Sequence, residues 1–173
     1  MVESAPYEVL STVDGIEVRA YPRLIVATVD GGGDDDSAFG HLFRYITGAN
    51  KGSRSIAMTA PVITPESIAM TAPVINRGRA MSFVMPAGYT VDSIPEPTDP
   101  MVRIEELPAR RMAVIRFKGR ARERDVEAAR ERLLAALDKN SMQAVGAPVL
   151  MRYNSPFTPG FMRRNEVGVQ VSD

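Results

Sequence analysis

Residues 55–75 read SIAMTAPVI-TPE-SIAMTAPVI: one nine-residue segment written twice, joined by Thr64, Pro65 and Glu66. Within each copy the side chains alternate. Ile56, Met58 and Ala60 fall on one face of an extended chain and Ser55, Ala57 and Thr59 on the other. Ile68, Met70 and Ala72 repeat the pattern opposite Ser67, Ala69 and Thr71. Pro61 and Pro73 limit each run, because proline cannot donate to a sheet ladder and is confined to edges, ends and bulges. The three-residue link suits a tight reversal, so the spacing predicts a β-hairpin that pairs the two copies, with Met58 and Met70 on one side. That methionine-rich face is either core or the wall of a pocket.

Working outward, Tyr7–Ser11 and Ile16–Tyr21 flank Asp14-Gly15, a strong hairpin signal. Leu24–Val29 is apolar on both faces, as expected of a central, doubly covered strand. Gly31-Gly32-Gly33 and the three aspartates after it read as a solvated loop. A phosphate cradle would need a lysine there, and the carboxylates would repel phosphate. A helix capped by Asp36 or Ser37 follows, with Phe39, Leu42, Phe43 and Ile46 as its apolar stripe and Gly48 at its end. His41, Arg44 and Tyr45 lie off that stripe. Ala80–Pro86, Val102–Leu107 and Arg111–Lys118 are predicted strands. Met81, Phe83 and Met85 share one face of the first. Arg122–Lys139 is a second helix with Val126, Ala129, Leu133 and Leu137 inward and interleaved Arg and Glu outward. Val149–Tyr153 and Glu166–Val171 are the last strands.

A faint internal echo accompanies this order. Pro22-Arg-Leu-Ile-Val-Ala and Pro108-Ala-Arg-Arg-Met-Ala each lead into loop, helix and strands. The predicted fold is therefore α+β: a distorted antiparallel β-barrel or curved sheet of two pseudo-symmetric halves, with two flanking helices, as one domain over residues 7–173.

Composition sets the limits. In 173 residues, Lys plus Arg and Asp plus Glu both total 21, so no net basic field draws the chain to nucleic acid or anionic lipid. No cysteine is present, which removes disulfides, thiolate metal sites and cysteine nucleophiles. A lone histidine, His41, precludes multi-histidine metal sites, and no Gly-x-Ser-x-Gly elbow is present. No stretch approaches the ~20 apolar residues of a membrane span. A soluble, cytoplasmic protein that binds no nucleic acid and does not insert into membranes is expected.

Several motifs in this order resemble the SOUL/haem-binding protein family over nearly the whole chain, from about Tyr7 to Val171. They are Tyr7-Glu-Val with Val18-Arg-Ala-Tyr, Ile-Ala-Met-Thr-Ala-Pro-Val, Phe83-Val-Met-Pro, Pro108-Ala-Arg-Arg-Met-Ala-Val, and Arg152-Tyr-Asn-Ser-Pro-Phe with Arg163-Arg-Asn-Glu-Val. The chain departs from the family where Pro159 is followed by Gly160 instead of an aromatic residue, and in lacking tryptophan. The resemblance implies a distorted barrel of two halves that holds haem or another tetrapyrrole reversibly in an apolar groove, as a carrier or buffer.

On that reading the binding residues are His41, Arg44, Tyr45, Met58, Met70, Met81, Phe83, Met85, Arg163 and Arg164. His41 or a methionine sulfur would face the iron, and no other metal ion is expected. Arg44, with Lys51 and Arg54 beyond the helix, would meet the propionates. Each assignment has a plainer alternative: a solvent-facing imidazole, methionines filling a core, a solvated basic turn. Two other functions compete. One is a small-molecule hydrolase or lyase with Glu166 and Tyr153 as acid/base groups, although a strand glutamate beside arginines is commonly a structural ion pair. The other is a ligand sensor without chemistry.

Overall fold

The computed structural model describes residues 3–31, 35–51, 54–55, 62–63, 68, 70–154 and 157–173. Asp14 and Gly15, both at positive φ (49° and 79°), turn the chain between β2 (Glu8–Val13) and β3 (Ile16–Tyr21). Glycine takes the second of these positions without strain. The Asp14 carboxylate then accepts hydrogen bonds from Lys139 (3.2 Å) and Asn140 (2.8 Å), tying the turn to the end of the second helix.

In chain order the elements are β1 (Glu3–Ser4), β2, β3, β4 (Leu24–Val29), α1 (Asp35–Thr47), β5 (Arg54–Ser55), β6 (Val62–Ile63), β7 (Thr71–Arg77) and β8 (Ala80–Val84). There follow β9 (Val102–Leu107), β10 (Arg110–Lys118), α2 (Glu123–Lys139), β11 (Val149–Arg152), a 3-10 turn (Gly160–Met162) and β12 (Arg164–Gln170). Nine strands form one antiparallel sheet in the order β2-β3-β10-β12-β11-β7-β8-β4-β9, and β1 adds in parallel to β7.

From β3 to β9 this order reads the same from either end once β3, β4, β7 and β8 are exchanged for β9, β10, β11 and β12. The registers agree. Moving each residue by 86 positions carries the Leu24–Leu107 pair onto Arg110–Tyr21, and Val26–Val84 onto Met112–Gln170.

The two faces of the curled sheet bury different things. One face carries both helices. Ile25, Ala27, Val29, Met81, Phe83 and Met85 pack under α1, and Ala113, Ile115, Phe117, Val167 and Val169 under α2. The other face folds on itself: Leu24, Val26 and Leu107 from one end meet Tyr21, Met112 and Val114 from the other. The architecture is the expected α+β curled half-barrel, and β4 is buried along its whole length.

Two expectations require correction. On α1 the buried residues are Ala38, Leu42, Tyr45 and Ile46, whereas Phe43 is 46% exposed. Tyr45 was placed off the apolar stripe. It goes inward because its hydroxyl donates to the Pro95 carbonyl (2.6 Å), which removes the cost of burying that group. The duplicated segment also pairs differently. Among the described residues, the second copy enters a strand only at Thr71, runs through Pro73 at a register shift to Arg77, and pairs with β8 and β11. The ends of the first copy pair with each other, through Ser55 and Val62. Local alternation is the same in both copies, but the partner is chosen by what each copy packs against. Met58 and its side of the chain lie outside the described residues.

Leu133 on α2 is wholly buried, and Leu134 beside it is 40% exposed. Leu133→Ala should therefore cost about 2–5 kcal/mol in urea unfolding. Leu134→Ala should shift stability by no more than roughly 0.5 kcal/mol; equal losses would show that α2 packs on another face.

Candidate functional site

Three places collect the polar and candidate binding residues. The first is inside the curl. Arg19 on β3 and Glu166 on β12 form a two-pronged pair at 2.8 and 2.7 Å, with side chains 1% and 0% exposed. Sheet register places Glu166 opposite Arg116 on β10 and Met151 on β11. Its Oε2 also accepts from Arg164 (2.9 Å), and Arg116 lies 3.5 Å away. Arg19 further donates to Glu17 (2.7 Å) and to the Tyr21 hydroxyl (2.9 Å). The Tyr7 ring lies under the Arg19 guanidinium at 4.0 Å, and the Tyr153 ring under that of Arg164 at 4.1 Å.

Burial alone would raise the Glu166 pKa. The hydrogen bonds and charge of Arg19, with Tyr153 and Arg164, outweigh it and hold the group at about 2. Burial, with the charge of Glu166, pushes the Tyr153 phenol up. Both oxygens of Glu166 are thus engaged, and the carboxylate stays ionised and a poor base.

The second place is the flank of α1. His41 Nδ1 lies 2.5 Å from Asp99 Oδ2, and Asp99 Oδ1 accepts the Met101 amide at 2.8 Å. The hydrogen bond from His41, then that from Met101, keeps the Asp99 carboxyl below the usual carboxylate range. An ionised carboxylate can only accept, so Nδ1 presents its hydrogen to Asp99, Nε2 stays outside that pair, and the imidazole is partly exposed. Arg44 Nη2 stands 3.1 Å from Nδ1. Lys51 pairs with Glu96 (3.5 Å); the side chain of Arg54 lies outside the described residues.

The third place is a cavity of about 480 Å³ between the β3–β4 turn and the connection after β8. Leu24, Ile25, Met85 and Tyr89 give it apolar walls, and Arg23, Asp92 and Glu106 charged ones. Thr71 lines it too, 2% exposed, with a hydroxyl that has no hydrogen-bond partner among the described residues. In a native structure such a group calls for a reason.

The residues expected to act together are therefore dispersed. Met81, Phe83 and Met85 are buried beneath α1 with Tyr45, and Met70 packs partly buried against them. Arg163 holds the Thr158 carbonyl (2.8 Å), and Arg164 belongs to the Glu166 cluster. Arg19, Tyr7, Tyr21, Asp99 and Thr71 had no place in the sequence-derived set. Arg19 and Tyr21 share a face of their strand in the alternation, but nothing local pairs them with a glutamate 147 positions away. Among the described residues no cluster of His, Asp and Glu is suited to a metal ion.

A curled α+β half-barrel thus carries a charged knot inside, a cavity at one end and a histidine paired with a carboxylate on a helix flank. The chain is a member of the SOUL heme-binding protein family, whose pattern matches residues 2–170. The fold resembles the crystal structure of the EcmrR C-terminal domain (TM-score 0.59, 11% identity, 96% of this chain and 98% of that one). It also resembles EcmrR in the cryo-EM structure of its DNA complex (0.61, 11%, 91% of this chain and 57% of that one). A hydrolase from Listeria innocua is similar as well (0.59, 13%, 94% of each chain). No curated protein matches the chain.

Glu166→Gln leaves Arg19 without its buried counter-charge and should cost about 3–5 kcal/mol at neutral pH. The sign follows from the lowered pKa. The Glu166 contribution is complete above its ordinary value of 4.5 and is lost as pH falls toward about 2. Urea midpoints of the wild type should drop across that window, and the step should be smaller in Glu166→Gln. An identical step in both proteins would place the titrating group elsewhere.

Proposed function

We propose that this protein binds haem or a related tetrapyrrole reversibly and without covalent attachment, as a carrier or buffer. Family membership supports the ligand class. The observation that carries the reading is the His41–Asp99 pair. Histidines that ligate metals typically donate their other ring nitrogen to a carboxylate or carbonyl, which fixes the tautomer and raises ligand basicity. The chain's sole imidazole is held in that way, with Nε2 available for iron and Arg44 beside it for a propionate. Burial of the macrocycle at roughly 25 cal/mol per Å² supplies several kcal/mol independently of any axial bond. The duplicated registers further support reading the chain as two pseudo-symmetric halves, and a soluble, cytoplasmic location is part of the same proposal.

A hydrolase or lyase that used Glu166 and Tyr153 is disfavoured. That carboxylate is saturated by arginines and its pKa is far below neutrality. A ligand-sensing role has one specific observation in its favour, the unpartnered Thr71 hydroxyl in the cavity wall. An occupant there would carry a hydrogen-bonding group at that end and an apolar body against Met85 and Ile25.

Haem titration followed at the Soret band tests the main reading. Saturable one-to-one binding is expected. His41→Ala should move the band while weakening affinity by about tenfold or less, and Arg44→Ala should lessen the salt dependence of binding. Absence of saturable binding would refute the carrier proposal. An unchanged spectrum in His41→Ala would relocate the site, with the cavity next to be probed through Thr71→Val.

A further inference from the structure

Among the described residues the three most exposed large apolar side chains fall on one loop: Phe157 (96%), Phe161 (76%) and Met162 (61%). They occupy the loop between β11 and β12. Elsewhere among the described residues the exposed large hydrophobics are scattered and reach at most 52%. Isolated exposed apolar residues are ordinary; three such tips on one short loop mark an interaction site.

The surroundings specify the partner. The loop packs against the turn between β10 and α2: a Cβ on Gly160 would lie 3.1 Å from the Arg120 side chain, and Asn165 donates to the Gly119 carbonyl (2.8 Å). Lys118, Arg120, Arg122 and Arg124 on that turn are exposed, with Arg163 at the end of the loop, and the acidic residues within 118–125 are Glu123 and Asp125. Five basic residues against two acidic ones is a local excess within a chain whose total charge is zero. Apolar tips ringed by cations match the boundary of an anionic bilayer. There aromatic and methionine side chains reach the acyl edge while the cations meet lipid phosphates.

We infer that the 157–163 loop and the 118–124 turn form a docking surface for anionic membranes, binding peripherally and without spanning. The inference is independent of the tetrapyrrole reading, since it uses neither His41 nor the cavity.

Co-sedimentation of the full chain with vesicles tests it. Binding to phosphatidylglycerol-rich vesicles should exceed binding to pure phosphatidylcholine by at least tenfold, since each basic residue near an anionic surface contributes roughly fivefold. It should fall steeply toward 1 M salt, where screening extends only about 3 Å. Phe157→Ser/Phe161→Ser and, separately, Arg120→Glu/Arg122→Glu should each abolish most of the binding. Both change exposed positions, so circular dichroism and the urea midpoint should match the wild type and exclude misfolding. Equal affinity for both vesicle types, or full binding by either folded variant, would overturn the inference. So would a dimer that the Phe157/Phe161 variant dissociates without any vesicle affinity in the wild type, since the apolar tips would then serve a protein contact.

Discussion

A carboxylate and a guanidinium buried inside a curled sheet set the terms for the rest of this structure. Removing two charges from water costs several kcal/mol each, and attraction in the interior offsets that only with near-ideal geometry and every remaining donor and acceptor satisfied. Arg19 and Glu166 meet that demand by recruiting Glu17, Tyr7, Tyr21, Tyr153 and Arg164. These residues come from β3 and β12 and from the segments just before β2 and just after β11. The pair joins the hairpin near one end of the chain to the last strand, since β3 and β12 flank β10 in the sheet. A comparable polar set occupies the other end, where Arg77 pairs with Glu105 at 2.8 Å and Thr28 with Ser82 at 2.7 Å.

Filling the interior has a functional consequence. A half-barrel whose inner face is taken up by ion pairs and by Val26, Val114 and Met151 leaves little room for a large ligand within it. The candidate places lie at the periphery: the flank of α1, where His41 pairs with Asp99, the cavity beside the β3–β4 turn, and the loop tips near α2. Helix, connection and loop residues carry these features while the sheet supplies rigidity, the usual division between scaffold and site. Zero net charge likewise conceals a basic turn at one end, because a total says nothing about distribution.

Much of the architecture was legible in the chain itself. Alternation marked β3 and β8, a run apolar on both faces marked β4, Asp14-Gly15 marked the first hairpin, and period-3.6 stripes marked both helices. These signals are local: each residue's face follows from the pitch of its own element. The methionine-rich face of β8 was also visible as a face, but whether it walled a pocket or filled a core depended on α1 settling over it. Tyr45 shows the limit within a helix. The period allows two stripes, one through Phe39 and Phe43 and one through Ala38, Leu42 and Tyr45. Packing chose the second, with the Tyr45 hydroxyl on a carbonyl 50 positions away.

The site residues were legible only one by one. The sequence by itself determined the elements, the absence of thiol and multi-histidine chemistry, and the single imidazole. Tertiary structure decided which glutamate meets which arginine, that Asp99 orients His41, that Thr71 is left unpartnered at a cavity, and that two identical nine-residue copies pair differently. The physical reason is common to all four. Hydrogen bonds and ion pairs reach only about 3 Å, and the chain positions they join are set by sheet order and packing, which no local period encodes.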